Sequence, residues 1–147
     1  MEIIILLTAT LFSTTTMTLF SYAMSKSFCD LYKEPVLLEY VLTGLDIDMG
    51  KNQKAITGWL IHYFIGLLFV IGYFIPIAEG WYMVTWSSGL VFGALIGFIG
   101  ILGWKVMFRV SGKMPMANPS VYYLQLFFAH IIFGLTTVAV YFVSQTH

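Results

Sequence analysis

The chain has 147 residues, of which 59% are hydrophobic and only 10% carry a charge. A soluble domain has about 25% charged residues, so this composition excludes a water-soluble globular fold and predicts an integral membrane protein. The 7 basic and 7 acidic residues cancel, which excludes the basic surface of a nucleic-acid-binding protein, and the single cysteine, Cys29, excludes an intramolecular disulfide.

Four apolar segments are long enough to cross a bilayer as helices, which takes about 20 residues. In chain order they cover residues 3–24, 55–78, 81–104 and 120–143. None shows the alternation of a strand, so we predict an all-α membrane protein with four transmembrane helices in one integral membrane domain, residues 1–147. The first apolar run exceeds the roughly 7–15 residues of a signal peptide, so we expect it to stay as a span.

The segment between the first two spans, residues 25–54, is the longest stretch predicted to lie outside the membrane. Within it, "EPVLLEYVLTGL" places apolar residues at helical spacing, with Pro35 near the start and Gly44 near the end. We predict a short amphipathic helix lying on the cytoplasmic interface of the membrane. The alternative interpretation is an ordered loop packed on the bundle.

A repeated pattern links the second and fourth spans. "HYFIGLLFVIGYF", residues 62–74, and "HIIFGLTTVAVYF", residues 130–142, share a pattern H-x3-G-L-x2-V-x2-Y-F. The shared histidine, glycine, valine and tyrosine fall on one face of a helix. We interpret the repeat as a duplicated helical hairpin, which predicts a pseudo-twofold four-helix bundle with His62 and His130 facing each other. The alternative is a chance likeness between two apolar helices.

The third span carries Gly89, Gly93 and Gly97 at intervals of four residues. Small residues at this spacing form a surface on which another helix packs closely. The partner could be a helix of this chain or of another chain. Because four spans bury only part of such a surface, we expect a homo-oligomer or a complex with other membrane subunits.

The two histidines allow three interpretations, because an ionisable residue within a span faces the bundle interior or a wet cavity. Each imidazole could simply hydrogen-bond a neighbouring helix. His62 and His130 could instead ligate the iron of a noncovalent haem b, with Gly66 and Gly134 leaving room for the flat macrocycle. In the third interpretation they belong to a path for a proton or small solute; no other cofactor is predicted.

Polar residues elsewhere in the chain supply candidates for such a path. Thr10 and Thr14 share a face of the first span, where the alternative role of small hydroxyl residues is close helix packing. Glu79, in the turn after the second span, is a candidate proton or cation site if it lies below the membrane interface. No carboxylate of the spans lies near either histidine in the sequence, so no metal site is predicted.

Basic residues indicate the orientation in the membrane. All 7 lie between the first and second spans or between the third and fourth, and none lies in the turn between the second and third. The excess of Lys and Arg in cytoplasmic loops then predicts both of these segments in the cytoplasm and both termini outside it.

The segments "TGWLIHYFIGLLFVIGYF" and "MPMANPSVYYLQLFFAHIIFG" resemble a family of small four-helix bacterial inner-membrane proteins of unknown function, the YagU-like proteins. The likeness consists of G-W-x2-H-Y in the second span and P-S followed by H-x3-G in the fourth. It covers most of the chain and implies a multi-pass protein of the bacterial inner membrane. The matched positions are His62, Gly66, His130 and Gly134, and the resemblance implies no mechanism.

No arrangement of catalytic residues is found: the sequence has no nucleophile elbow, phosphate-binding loop or H-E-x-x-H motif, so an enzyme is not predicted. We predict a non-enzymatic subunit or partner in a larger membrane assembly, packing through the glycines of the third span. One alternative is an electron carrier with bis-histidine haem. The other is a carrier or channel for a proton or a small solute.

Overall fold

The computed structural model describes residues 3–146, which form five helices. In chain order these are α1 (Ile3–Phe28), α2 (Glu34–Gly44), α3 (Lys51–Ala78), α4 (Trp86–Ser111) and α5 (Pro119–Ser144). All except α2 are long and apolar enough to cross a membrane, which confirms the predicted all-α fold with four spans. The extreme ends, residues 1, 2 and 147, lie outside the described residues.

The third span begins at Trp86 rather than at residue 81 because a capping box fixes its start. The Thr85 hydroxyl oxygen accepts from the backbone N–H of Ser88 at 3.0 Å, and the Ser88 hydroxyl oxygen accepts from the N–H of Thr85 at 3.0 Å. At its other end α4 continues to Ser111 and stops at Gly112, whose φ of 64° is the left-handed conformation that ends many helices.

The segment after the first span is a helix that packs on the bundle. Pro35 lies in its first turn and Gly44 ends it, as predicted, and Leu37 on its apolar face is completely buried. It contacts both α3 and α4. A Cβ atom at Gly58 of α3 would lie 2.5 Å from the Pro35 carbonyl oxygen, so the two backbones are in close contact. The α2 helix therefore bridges α3 and α4 at one end of the bundle.

The four spans do not pack equally against one another. Helices α1 and α5 form the central pair, α4 packs on α5, α3 packs on α1, and α3 and α4 make at most sparse contact with each other. The hydroxyl-rich face of α1 allows the central contact, in which the Ser13 and Thr137 hydroxyls are hydrogen-bonded at 2.9 Å. Side chains do join α3 and α4 at the end away from α2, where the Tyr73 and Ser88 hydroxyls are 2.7 Å apart. The opening between α3 and α4 is consequently limited to the part of the bundle nearer α2.

Two clusters of buried side chains lie along the bundle. The first contains Val70, Tyr73, Phe133 and Val138, and the second, at the end where α2 packs, contains Tyr32, Leu37, Trp104 and Tyr122. A cavity lies between them, because its lining includes Met17 and Phe133 of the first cluster and Leu38 and Trp104 of the second.

Asp30 joins the two segments that connect the spans at the α2 end. Its carboxylate accepts hydrogen bonds from the backbone N–H groups of Ala117 and Asn118, each at 3.1 Å, and of Leu31 at 2.8 Å. Although burial alone would raise the pKa of Asp30, these hydrogen bonds to the charged form outweigh it and hold the pKa below its ordinary value. The segments before α2 and before α5 therefore meet at one end of the protein.

Candidate functional site

The cavity between the two clusters, which we call the chamber, has a volume of about 160 Å³. Its polar lining comes from Thr14, Glu34, His62 and His130. Apolar and aromatic side chains form most of the rest: Met17, Leu38, Ile65, Phe69, Ile99, Trp104, Met107 and Phe133. An engineered apolar cavity of about 150 Å³ holds one benzene molecule, so the chamber has the size of a six-membered ring.

The chamber reaches the protein surface through the opening between α3 and α4, which we call the mouth. Ile99 and Gly103 of α4 line the chamber and are themselves exposed, and Ile65 and Phe69 line it from α3. A Cβ atom at Gly103 would meet nothing within 4 Å. The mouth is apolar and lies between two membrane-spanning helices, so in a membrane it faces lipid.

His62 lies buried on α3, with its Nε2 atom 2.8 Å from the hydroxyl oxygen of Thr18 on α1. The Thr18 hydroxyl donates to the Thr14 carbonyl oxygen at 2.6 Å, which uses its only hydrogen. It must therefore accept from the Nε2–H of His62. In the neutral ring Nδ1 then carries a lone pair, and this atom has no hydrogen bond within residues 3–146.

His130 lies buried on α5, and its unprotonated nitrogen is Nε2, whereas that of His62 is Nδ1. Its Nδ1–H donates to the Leu126 carbonyl oxygen at 2.8 Å, since a carbonyl can only accept. The lone pair of the neutral ring is therefore on Nε2, for which the described residues supply no partner. A Cβ atom at Gly100 of α4 would lie 3.0 Å from Nε2, so the glycine makes room for the imidazole edge.

Glu34 belongs to α2, outside the four spans, but its side chain reaches between α1 and α5. The Ser21 hydroxyl lies 2.5 Å from Glu34 Oε1 and 3.2 Å from Gln125 Oε1, and can donate to only one of them at a time. In the described part of the chain, Glu34 Oε2, Gln125 Nε2 and the Tyr122 hydroxyl are enclosed without a partner. Burial raises the pKa of Glu34 to about 7, against the opposing effect of the Ser21 hydrogen bond.

The two glycines predicted to accommodate a macrocycle both pack against neighbouring helices, although Gly66 also lines the chamber. The Cβ position of Gly66 is taken by the hydroxyl of Thr14, and that of Gly134 by the backbone of Gly89 and Gly93. Together with the size of the chamber, this means that the residues do not fit a haem between the two imidazoles. Within residues 3–146, no group of three His, Cys, Asp or Glu side chains could hold a metal ion.

The glycines of α4 that were predicted to form a packing surface contact α5 of the same chain. Cβ atoms at Gly89 and Gly93 would lie 2.9 Å and 2.7 Å from the carbonyl oxygens of Gly134 and His130. Gly97 faces the same helix at a similarly short distance. This row is therefore used within the chain, and a partner subunit would have to dock elsewhere.

The residues proposed for a polar path are only partly brought together. Thr14 lines the chamber, and its enclosed hydroxyl has no partner among the described residues. Thr10 is buried but donates to the Leu6 carbonyl oxygen at 2.7 Å, away from the chamber lining. Glu79 caps the end of α3 and is exposed. Of the three, the structure places only Thr14 beside the histidines.

Sequence reasoning missed Glu34, Gln125 and Trp104 as residues of this region. Gln125 could have been found, because it is the only side-chain amide between residues 120 and 143 and a polar residue in a span faces the interior. Glu34 carries no such signal. It stands beside Pro35 at the start of a helix predicted to lie on the membrane surface, and only the docking of α2 buries it.

Comparison with known proteins gives no further assignment: no family model, no curated protein and no solved structure matches this chain. The resemblance to the YagU-like proteins stays a prediction. The function is therefore argued from the chamber itself.

Proposed function

We propose that the protein binds a ring-sized, lipid-soluble molecule in the chamber and receives it from the bilayer through the mouth. The observation that supports this most directly is the chamber, a 160 Å³ cavity with polar groups at its inner wall and an apolar opening between α3 and α4. Binding sites for small molecules are mostly apolar and carry a few convergent polar groups, as this one does.

The position of the mouth supports delivery from lipid. The exposed residues at this opening, Ile99 and Gly103, are apolar or lack a side chain, so a solute crossing them from water would meet no polar group. A molecule already dissolved in the hydrocarbon region loses no hydration when it passes between α3 and α4. We therefore assign the protein to the small-solute binding or carrier class.

We further infer that the protein lies in the inner membrane of a bacterial cell, with the α2 end in the cytoplasm and both termini outside the cytoplasm. The hydrogen bonds of Asp30 to Ala117 and Asn118 bring the two basic connecting segments to one end, which supports a single orientation. The burial of both histidines and of Gly66 and Gly134 is compatible with an origin by hairpin duplication.

The only cysteine gives a direct test of this orientation. Cys29 is exposed in the segment between α1 and α2. A membrane-impermeant maleimide should label it in permeabilised spheroplasts but not in intact ones. The matched control carries Cys29→Ser and Met83→Cys, because Met83 is 79% exposed at the opposite end of the protein. The control should be labelled in intact spheroplasts, and the reverse pattern would invert the orientation.

Binding in the chamber can be followed through Trp104, which lines it. The other tryptophans, Trp59, Trp81 and Trp86, are exposed and can be replaced by phenylalanine. Bromobenzene, a ring-sized heavy-atom quencher, should then quench the remaining emission with saturation in the purified full-length protein.

A blocked variant and its control separate binding from partitioning into detergent. Gly103→Phe should abolish saturable quenching, because its side chain enters the mouth without a clash at Cβ. Gly72→Phe is the matched control, since a Cβ at Gly72 on α3 also meets nothing within 4 Å and Gly72 does not line the chamber. Equal quenching in both variants would overturn the proposed function.

A further inference from the structure

The hydrogen bonds of the two histidines determine what the chamber offers a ligand. His62 uses Nε2–H toward Thr18, and His130 uses Nδ1–H toward Leu126. Each neutral imidazole therefore presents an unprotonated nitrogen, Nδ1 of His62 and Nε2 of His130. Neither atom is among the enclosed, unpartnered atoms of the described residues, and both rings line the chamber. The chamber thus offers two hydrogen-bond acceptors.

The remaining lining excludes an anionic ligand. Among the described residues, no lysine or arginine contributes to the chamber wall, and the polar residues that line it with the histidines are Thr14 and Glu34. A carboxylate or phosphate group would meet the acceptor lone pairs of the two imidazoles without any compensating positive charge. Burying an unpaired charge in such surroundings is strongly unfavourable.

A cationic ligand is disfavoured by the position of the Glu34 oxygens. Oε1 is hydrogen-bonded to the Ser21 hydroxyl, and Oε2 is completely enclosed by protein atoms. Neither oxygen is therefore free to pair with an ammonium group in the chamber. A neutral group that donates hydrogen bonds satisfies the two imidazoles without adding a buried charge.

We infer that the ligand is a neutral aromatic alcohol, a phenol or dihydroxybenzene ring, whose hydroxyl groups donate to His62 Nδ1 and His130 Nε2. This inference rests on the proposed ring-binding function and adds the chemistry of the headgroup. The ring matches the 160 Å³ volume and the aromatic lining from Phe69, Trp104 and Phe133. Any apolar substituent on the ring would extend through the mouth into lipid.

A matched series of brominated rings tests the headgroup with the Trp104 assay at neutral pH. Bromobenzene offers the ring alone, 4-bromoanisole adds an oxygen that only accepts, and 4-bromophenol adds a donor. One hydrogen bond formed in place of an unpaired group changes Kd by roughly tenfold. We expect 4-bromophenol to bind about tenfold more tightly than 4-bromoanisole, and bromohydroquinone, with two donors, more tightly still.

Two variants remove the acceptors while keeping a ring in place. His62→Phe leaves the Thr18 hydroxyl bonded to the Thr14 carbonyl, and His130→Phe leaves Leu126 with its helical backbone bond, so neither creates an unpaired donor. The advantage of 4-bromophenol over 4-bromoanisole should shrink toward onefold in the double variant. Circular dichroism and thermal unfolding of the double variant check that it is folded, and 4-bromoanisole is the reference in each variant, so that a change in the chamber's size affects both rings of the comparison. An undiminished advantage in the folded double variant would overturn the assignment of the two imidazoles as acceptors.

The outcomes separate this inference from the proposed function. If bromobenzene does not quench Trp104 with saturation, the chamber does not bind rings and both proposals fail. If bromobenzene binds but 4-bromophenol binds no better than 4-bromoanisole, only the headgroup inference is overturned. Tighter binding of 4-bromobenzylamine than of 4-bromophenol would likewise overturn it in favour of a cationic ligand.

Discussion

The glycines of the α4 helix lie in two opposite kinds of surroundings. Gly89, Gly93 and Gly97 bring its backbone against α5, and Gly100 makes room for the His130 ring of that helix, whereas Gly103 faces the mouth. At the first four positions the missing side chain lets α5 approach. At Gly103 it leaves open space, because a Cβ atom there would meet nothing within 4 Å and α3 makes at most sparse backbone contact with α4. The comparison shows that a glycine's role is decided by what lies opposite it.

Enclosed polar atoms without a partner occur on both sides of α4. Thr14 and Glu34, which line the chamber, each contribute one such oxygen among the described residues. The Tyr122 hydroxyl, on α5 beside Trp104 and Phe108 of α4, is another. Such atoms reduce stability, so the chamber wall and the contact between α4 and α5 both tolerate an energetic cost.

The largest expected effect concerns Glu34, which lines the chamber. Burial raises its pKa from an ordinary value of 4.5 to about 7, so between these values the folded state binds more protons than the unfolded state. Stability should therefore fall as the pH rises through this window, by about 3 kcal/mol, and stay low above it. Thermal unfolding of the detergent-solubilised protein between pH 4.5 and 8 measures the slope.

Glu34→Gln should remove most of this pH dependence, because the amide cannot ionise. Glu79→Gln is the control: Glu79 is exposed, and its replacement should leave the slope as it is. An unchanged slope in Glu34→Gln would show that the pH dependence arises elsewhere, and burial of Glu34 beside the chamber would then carry no electrostatic cost.

A smaller effect is expected at the closed contact. In Gly93→Ala the added Cβ would lie 2.7 Å from both the His130 carbonyl oxygen and the Ile131 Cα. These are backbone atoms, so α4 and α5 must move apart, which costs about 2 kcal/mol. The unfolding temperature should fall, whereas Gly72→Ala, with open space around its Cβ, should not lower it. Equal temperatures in both variants would contradict a tight contact.

The sequence was sufficient to predict the elements that depend on local pattern. Apolar length predicted the four spans, and the four-residue spacing of Gly89, Gly93 and Gly97 predicted close helix contact. The helical spacing around Val70 predicted the inward-facing side of α3, where the structure buries this residue. Each of these properties is encoded within about one helix.

The chamber could not be predicted because it depends on distances between helices. The repeat suggested a symmetric bundle in which His62 and His130 face each other, but nothing local indicates that the backbones of α3 and α4 make at most sparse contact. Equally, the apolar face of α2 is compatible with lipid or with protein as its neighbour. The α2 helix docks against Gly58 and so buries Glu34, and this contact between two helices cannot be recognised from the sequence of either one.

The smallest expected effect is also the sharpest test of the comparison. Gly103→Ala makes the same chemical change as Gly93→Ala on the same helix, but the new Cβ meets nothing within 4 Å. Alanine is favoured over glycine inside a helix by up to about 1 kcal/mol. The unfolding temperature should therefore stay the same or rise slightly, opposite in sign to Gly93→Ala. A fall as large as that of Gly93→Ala would mean that α3 closes against α4 at the mouth, and Gly103 would then play the same role as Gly93.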